Sequence, residues 1–191
     1  MGLLTRLLRA RAAPMLRTGA VLCLALSAIG SPLRDAGAAS LEYSVKAAYL
    51  TKFGIYVEWP AASFASPSSP LVLCVAGNDP FGAALDQAAA QQRVEGRPVQ
   101  VKRLKAVTRD AGCHILYLGF SDPQSIGQAL AAVHGAPVLT VGDTANADGE
   151  IIRFVVENNR VRFDIDEVEA SRNGLKISSK LLSLALHVRA R

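Results

Sequence analysis

Leu71-Val-Leu-Cys-Val-Ala-Gly-Asn-Asp-Pro-Phe81 is the most informative segment of the chain about its fold. Its first six residues form a continuous apolar run, which is typical of a strand buried on both faces of a parallel sheet. The following residues predict a strand-to-helix turn, with Asp79 as the N-cap and Pro80 at the first helical position. A helix is predicted from there to about Gln92. A buried strand followed at once by a helix indicates an α/β fold.

The chain on both sides of this unit continues the alternation of strands and helices. A helix is predicted over 41–57 and ends before Trp59-Pro60, because a residue that precedes proline avoids the helical region. Leu41, Val45, Ala48, Tyr49 and Lys52 share one side of that helix. Downstream we predict strands at 99–104, 115–118 and 137–141, and helices at 122–134, 166–172 and 177–188.

A β-hairpin interrupts the alternation near the C-terminus. Asn158-Asn159 lies between two runs of strand character, 151–156 and 160–165, and asparagine tolerates the positive φ that a tight turn requires. We therefore expect an α/β fold with a mainly parallel sheet flanked by helices and an antiparallel hairpin near the C-terminus.

The first 38 residues have the pattern of a cleaved secretory signal. Four arginines precede an apolar run over 20–29, which is too short to span a bilayer, and Ala36-Gly37-Ala38 fits the A-x-A cleavage pattern. The alternative is an uncleaved N-terminal anchor. We expect residues 39–191 to form a single exported domain.

Removal of the signal changes the charge balance. The chain has 21 Lys+Arg and 16 Asp+Glu, and residues 1–38 contain five of the arginines and one aspartate. The exported part therefore has 16 basic and 15 acidic residues, and its near-neutral charge gives no support for binding to nucleic acid.

The cysteine count is informative in an exported protein. Cys23 lies in the signal, which leaves Cys74 and Cys113. Two cysteines in an oxidising compartment are expected to pair, and strands at 71–76 and 115–118 that lie side by side would bring them together. The alternative is two buried free thiols.

The sequence offers little that resembles catalytic or metal chemistry. None of His114, His134 and His187 has a partner at metal-ligand spacing, so we expect no metal and no cofactor. His114 follows the pattern of a core histidine. We therefore predict a protein that is not an enzyme.

Two segments are candidates for binding. Asn78, Asp79, Phe81 and Gly82 lie at a helix N-terminus, where an α/β fold often holds an anion, but they lack the glycine-rich phosphate patterns and a capped turn explains them better. Leu175, Ile177, Lys180 and Leu181 lie in the last apolar segment, which could present a surface to a partner or form a structural helix.

The chain resembles the YfiR-like family of periplasmic regulatory proteins along nearly all of the exported part. The resemblance is carried, in order, by Val45-Lys-Ala-Ala-Tyr-Leu-Thr-Lys-Phe53 with Val57-Glu-Trp-Pro60, Leu73-Cys-Val-Ala-Gly-Asn-Asp-Pro-Phe-Gly82, Gly96-Arg-Pro-Val99 with Cys113-His-Ile-Leu-Tyr117, and Arg162-Phe-Asp-Ile165 with Asn173-Gly-Leu-Lys-Ile-Ser-Ser-Lys-Leu-Leu182. Single pieces are weak, but the ordered set is specific.

The resemblance implies a non-enzymatic protein that binds and represses the periplasmic sensor part of an inner-membrane diguanylate cyclase. It also implies an outer-membrane lipoprotein as a second partner, a homodimer, and a family disulfide at Cys74 and Cys113. Some members carry a second cysteine pair, which this chain lacks after Cys113. A periplasmic small-ligand binding module, using the turn after the first predicted strand, is the alternative function.

Overall fold

The computed structural model describes residues 33–145 and 149–190, and the side chains from Ser40 onward within those ranges. Most of the predicted export signal therefore lies outside the described residues. Its last residues fall in the first turns of helix α1, Leu33–Phe53. Within the described ranges, no helix is both long enough and apolar enough to span a membrane.

In the part of the chain that the structure describes, α1 is followed by four further helices and ten strands. The helices are α2 Ala83–Ala90, α3 Pro123–Val133, α4 Glu167–Arg172 and α5 Ser179–Leu182, and short 3-10 turns occur at Gly54–Tyr56 and Ala61–Ser63. The strands are β1 Val57–Glu58, β2 Leu71–Gly77, β3 Arg93–Val94, β4 Arg97–Leu104, β5 Ile115–Gly119, β6 Leu139–Gly142, β7 Ile152–Glu157, β8 Arg160–Asp166, β9 Lys176–Ile177 and β10 Val188–Arg189.

The main sheet has eight strands in the order β10-β8-β7-β6-β5-β2-β4-β3, and β1 pairs with β9 in a separate ribbon. The α/β class is confirmed. The sheet is mixed rather than mainly parallel as predicted, because antiparallel hairpins lie toward both of its ends, β7–β8 and β3–β4. The second hairpin was missed because its turn uses Glu95 and Gly96, both at positive φ, and glutamate rarely adopts that conformation.

Alternate residues of the central strands are buried on opposite faces of the sheet. Leu71, Leu73 and Val75 of β2 belong to a core shared with α1 and α2, whereas Cys74 and Ala76 belong to a core shared with α3. Burial of both faces explains why this strand is a continuous apolar run.

The first and last predicted helices end earlier than the sequence pattern suggested. α1 ends at Phe53 and not at residue 57, because Val57 and Glu58 pair with β9. The predicted helix over 177–188 is wrong beyond α5. From Leu186 onward the chain hydrogen-bonds to β8 as a strand, and the Leu186 amide donates to the Phe163 carbonyl at 2.8 Å.

The side of α1 that packs on the sheet is not the side picked out by the sequence pattern. Its buried residues include Lys46, Ala47, Leu50 and Phe53. Leu41 and Val45 of the predicted stripe remain exposed and Tyr49 is half-buried, so α1 has apolar residues on two sides.

Candidate functional site

The turn after β2 contains the residues that we predicted as a ligand turn. The carboxylate of Asp79 accepts hydrogen bonds from the backbone amides of this turn. The Phe81 and Gly82 amides donate to Asp79 Oδ1 at 2.9 and 3.1 Å, and Arg103 Nε donates to Asp79 Oδ2 at 2.7 Å. Asp79 does not cap α2 itself, because Gly82 occupies the N-cap position. An anion at these amides would have to displace a carboxylate, so the geometry favours a capped turn.

Backbone atoms fill the crevice at the carboxyl ends of β2 and β5. The connections of the parallel strands diverge here, and this is where open α/β sheets often bind ligands. Gly77 and Gly119 face each other in register, and the Asn78 amide donates to the Gly119 carbonyl at 2.8 Å. A Cβ at Gly119 would clash with the Asn78 carbonyl oxygen. The two glycines therefore fill the crevice with backbone.

Gly119→Ala is expected to lower the free energy of unfolding by about 1–3 kcal/mol, because a strand end must shift to accommodate the methyl group. Gly127→Ala is the matched control. A Cβ at Gly127 on α3 meets no atom within 4 Å, so this variant should gain about 0.5–1 kcal/mol. Urea unfolding of both variants would reveal the contrast, and equal stabilities would contradict the close approach.

A buried ion cluster joins α1 to the loop after β6. Lys46 is 3% exposed, and its Nζ lies 2.6 Å from Glu42 Oε1 and 2.8 Å from Asp143 Oδ2. The hydroxyls of Tyr43 and Tyr117 also hydrogen-bond to Asp143. A single carboxylate therefore organises a cation and two phenols beside the carboxyl ends of β5 and β6.

Burial and the charge of Asp143 both act on this cluster. Burial, then the nearby Asp143 carboxylate, raises the pKa of Tyr117 far above that of an exposed tyrosine, and the pKa of Tyr43 also rises. Burial by itself lowers the pKa of Lys46, but hydrogen bonds to Asp143 and Glu42 raise it overall. The lysine is therefore charged and the phenols are neutral near neutral pH.

His114 is a structural histidine at the start of β5. It is buried, the Val72 amide donates to its Nδ1 at 3.1 Å, and its Nε2–H donates to the Ser63 carbonyl at 3.0 Å. Both ring nitrogens are thus satisfied in the neutral form. Burial is the main cause that lowers the pKa of His114 below its usual range.

The free energy of unfolding is expected to fall as pH drops below about 6.5, the pKa of histidine in an unfolded chain. Below that pH the imidazole of His114 takes up a proton in the unfolded chain but not in the folded protein, because its pKa is lower in the folded state. The folded state therefore loses stability relative to the unfolded chain as the pH falls. Urea unfolding between pH 5.5 and 8 measures the slope. His114→Gln should flatten it, and His134→Gln, at an exposed histidine, should leave it unchanged. An unaltered slope in His114→Gln would contradict this assignment.

The predicted partner surface near the C-terminus is largely interior. Leu175, Ile177 and Leu181 are buried in the core next to α1, and of the four predicted residues only Lys180 is exposed. They are buried because β9 pairs with β1 and because the short helix α5 turns Leu181 inward. Three of these four residues therefore cannot touch a partner in this structure.

A charged cleft of about 480 Å³ lies between the β7–β8 hairpin and β10. Arg153 Nη2 and His187 Nδ1 each lie 3.0 Å from a different oxygen of Asp164, and Arg189 pairs with Asp166. Burial alone would raise the pKa of Asp164, but its hydrogen bonds to Arg153 and His187 lower it overall. The contacts of His187 with Asp164 and of Arg189 with Asp166 hold the C-terminal segment against β8.

Cys74 and Cys113 form a disulfide that links β2 to the residue just before His114, with Cα atoms 5.7 Å apart. The bond lies in the core beneath α3. Over the described parts of the chain, no three His, Cys, Asp or Glu side chains come together in an arrangement that could hold a metal ion.

Comparison with known families decides what kind of protein carries these features. A family model described as YfiR/HmsC-like matches residues 43–186, from the middle of α1 to the segment that leads into β10. This chain belongs to the YfiR/HmsC-like family. The match includes both cores, the disulfide and the hairpin, so the resemblance seen in the sequence motifs is confirmed.

YfiR/HmsC-like proteins are periplasmic, non-catalytic regulators of cyclic-di-GMP signalling, and they act with a diguanylate cyclase sensor. Membership of this family places the chain among such regulators. The buried ion cluster, the buried histidine and the disulfide stabilise the domain, and a regulator of this kind would contact its partner through surface residues.

Sequence reasoning missed the most buried charged group of this YfiR/HmsC-like domain. Lys46 stands four residues after Glu42, and this spacing was the only local signal of an ion pair. Its second partner, Asp143, is 97 residues away and cannot be inferred from local pattern.

Proposed function

We propose that this chain binds the periplasmic sensor part of an inner-membrane diguanylate cyclase and represses it, which lowers cyclic-di-GMP. The observation that carries the proposal is the YfiR/HmsC-like match over residues 43–186, since this family acts with such a sensor. A domain braced by a disulfide and by buried ion pairs presents a surface of fixed shape, which suits a protein that acts by binding.

Repression requires that the chain bind one state of the sensor more tightly than the other. A protein that binds both states with equal affinity does not change their equilibrium. A tenfold preference for one state changes the equilibrium constant between the two states by at most tenfold. The proposed target is therefore the inactive state of the sensor.

Export to the periplasm belongs to the same proposal. Residues 1–38 would direct secretion and be removed, and residues 39–191 would act as one domain. An outer-membrane lipoprotein would relieve repression by competing for the chain, and a homodimer would be the form that acts.

Deletion of the gene tests this proposal in cells. Cyclic-di-GMP should rise several-fold on deletion and return to the starting level when the full chain is supplied. A chain lacking residues 1–38 is the matched control, because it stays in the cytoplasm and should not restore repression. A tagged full chain should also co-purify with a membrane cyclase. Unchanged cyclic-di-GMP together with no recovered cyclase would refute the proposal.

A further inference from the structure

Helix α1 has an apolar stripe that the fold does not cover. Leu41 is 67% exposed and Val45 is 37% exposed, whereas Tyr49, one turn further on, is half-buried. These three residues are spaced four apart and so share one side of the helix. Another side of α1 supplies the core, and neither Leu41 nor Val45 belongs to it.

The hairpin supplies a second apolar wall beside this stripe. Val156 of β7 and Val161 of β8 are cross-strand neighbours, and Val156 is 49% exposed. Together with the stripe on α1 they line an open groove of about 640 Å³. Exposed apolar residues that line one concave surface are typical of binding sites.

The charge that remains at the rim of this groove is mainly positive. Arg160 and Arg162 lie on either side of Val161, and neither forms an ion pair with another residue in the described parts of the chain. The one acidic residue in the lining, Glu42, pairs at 2.6 Å with Lys46, which it shares with Asp143, so the two arginines outweigh its charge. A partner with carboxylates beside an apolar stripe would complement this surface.

Both walls of the groove are held rigidly from behind. Tyr49 packs edge-on against Phe163 of β8, with ring centroids 5.6 Å apart. Lys46 fixes α1 to the loop after β6 through its ion pair with Asp143. A partner would therefore meet a preformed groove and would lose little free energy in ordering it.

We propose that this groove binds an amphipathic helix of the partner, with its apolar stripe on Leu41, Val45 and Val156 and its carboxylates near Arg160 and Arg162. A groove with one helical wall and one sheet wall suits the helix-in-groove mode of recognition. The inference rests on the proposed function, so the helix belongs to the periplasmic part of the diguanylate cyclase.

Binding of the full-length cyclase in nanodiscs to the purified exported chain tests the groove. Val45→Glu combined with Val156→Glu should weaken binding at least about tenfold, because two carboxylates would enter the apolar contact. Arg160→Glu combined with Arg162→Glu should also weaken binding and reduce its dependence on salt. Ile55→Glu, at an apolar residue 51% exposed outside the groove, and Arg93→Glu, on the edge strand β3, are the matched controls and should bind within twofold of the parent.

Photo-crosslinking provides a test that does not depend on disruptive variants. A benzophenone side chain at Val45 or Val156 should crosslink to an acidic, apolar-striped peptide of the cyclase, and one at Ile55 should not. If the parent chain binds the cyclase while the groove variants bind equally well, the groove is overturned and the proposed function stands. Crosslinks only to a second copy of this chain overturn the groove as well. No binding by the parent chain overturns both.

Discussion

The Lys46→Met variant is expected to lose about 3 kcal/mol of unfolding free energy. Methionine fills similar space but leaves the Asp143 carboxylate, whose side chain is only 13% exposed, without its cation. Breaking a buried ion pair by removing one partner typically costs about 3–5 kcal/mol. We expect the lower end because Tyr43 and Tyr117 still donate to Asp143. Urea unfolding at pH 7 measures the loss.

Two further variants show whether the loss comes from a buried charge. Lys46→Met combined with Asp143→Asn removes both charges and should recover a large part of the stability. Lys176→Met breaks the exposed pair with Glu58, whose atoms lie 3.9 Å apart, and should cost less than about 1 kcal/mol. A loss in Lys46→Met no larger than that of Lys176→Met would contradict the buried cluster.

Reduction of the Cys74–Cys113 disulfide is expected to lower the unfolding free energy by roughly 4 kcal/mol. The bond closes a loop of 39 residues, and this value is the chain-entropy estimate for such a loop. The exported chain would be unfolded in urea with and without dithiothreitol, and the midpoint should fall markedly under reducing conditions.

The double variant Cys74→Ala/Cys113→Ala is the control for the reductant. Its free energy of unfolding should equal that of the reduced parent, less a small packing loss in the core beneath α3. Dithiothreitol should not change the free energy of unfolding of this variant. If the parent unfolds at the same urea concentration with and without dithiothreitol, the stabilising role of the bond is wrong.

Strong local signals carried the sequence-based prediction of the fold. The Asn158-Asn159 turn was predicted from residue type, and both asparagines have positive φ. Asp122 and Asp166 precede predicted helices, and each caps one by accepting a backbone N–H. Each of these signals acts within four residues, so it can be recognised without knowledge of the tertiary structure.

Elements that depend on distant pairing could not be predicted. β1, β9 and β10 are two residues long, and each exists only because a partner strand lies beside it. The leucine-rich end of the chain suggested a helix. Its backbone instead pairs with β8, where Val188 lies opposite Ile165. Tertiary hydrogen bonds overrode local propensity there.

The contrast between local signals and distant contacts also explains why the sequence did not identify the exposed apolar residues. An apolar residue can serve the core or a partner, and composition does not separate the two. Leu181 was a candidate for a partner surface but is buried, whereas Val45 was part of a helical stripe and is exposed. The structure resolves both because it shows which side of each helix the sheet covers.

The central claim is that the exported chain represses a diguanylate cyclase by binding its periplasmic part. The most direct test is cyclase activity in nanodiscs, with the catalytic part supplied with GTP and the purified exported chain added on the periplasmic side. The account predicts that activity falls in a saturable way as the chain is titrated, and that removal of the cyclase's periplasmic part abolishes the effect. Activity that stays constant at saturating concentrations of the chain would contradict it.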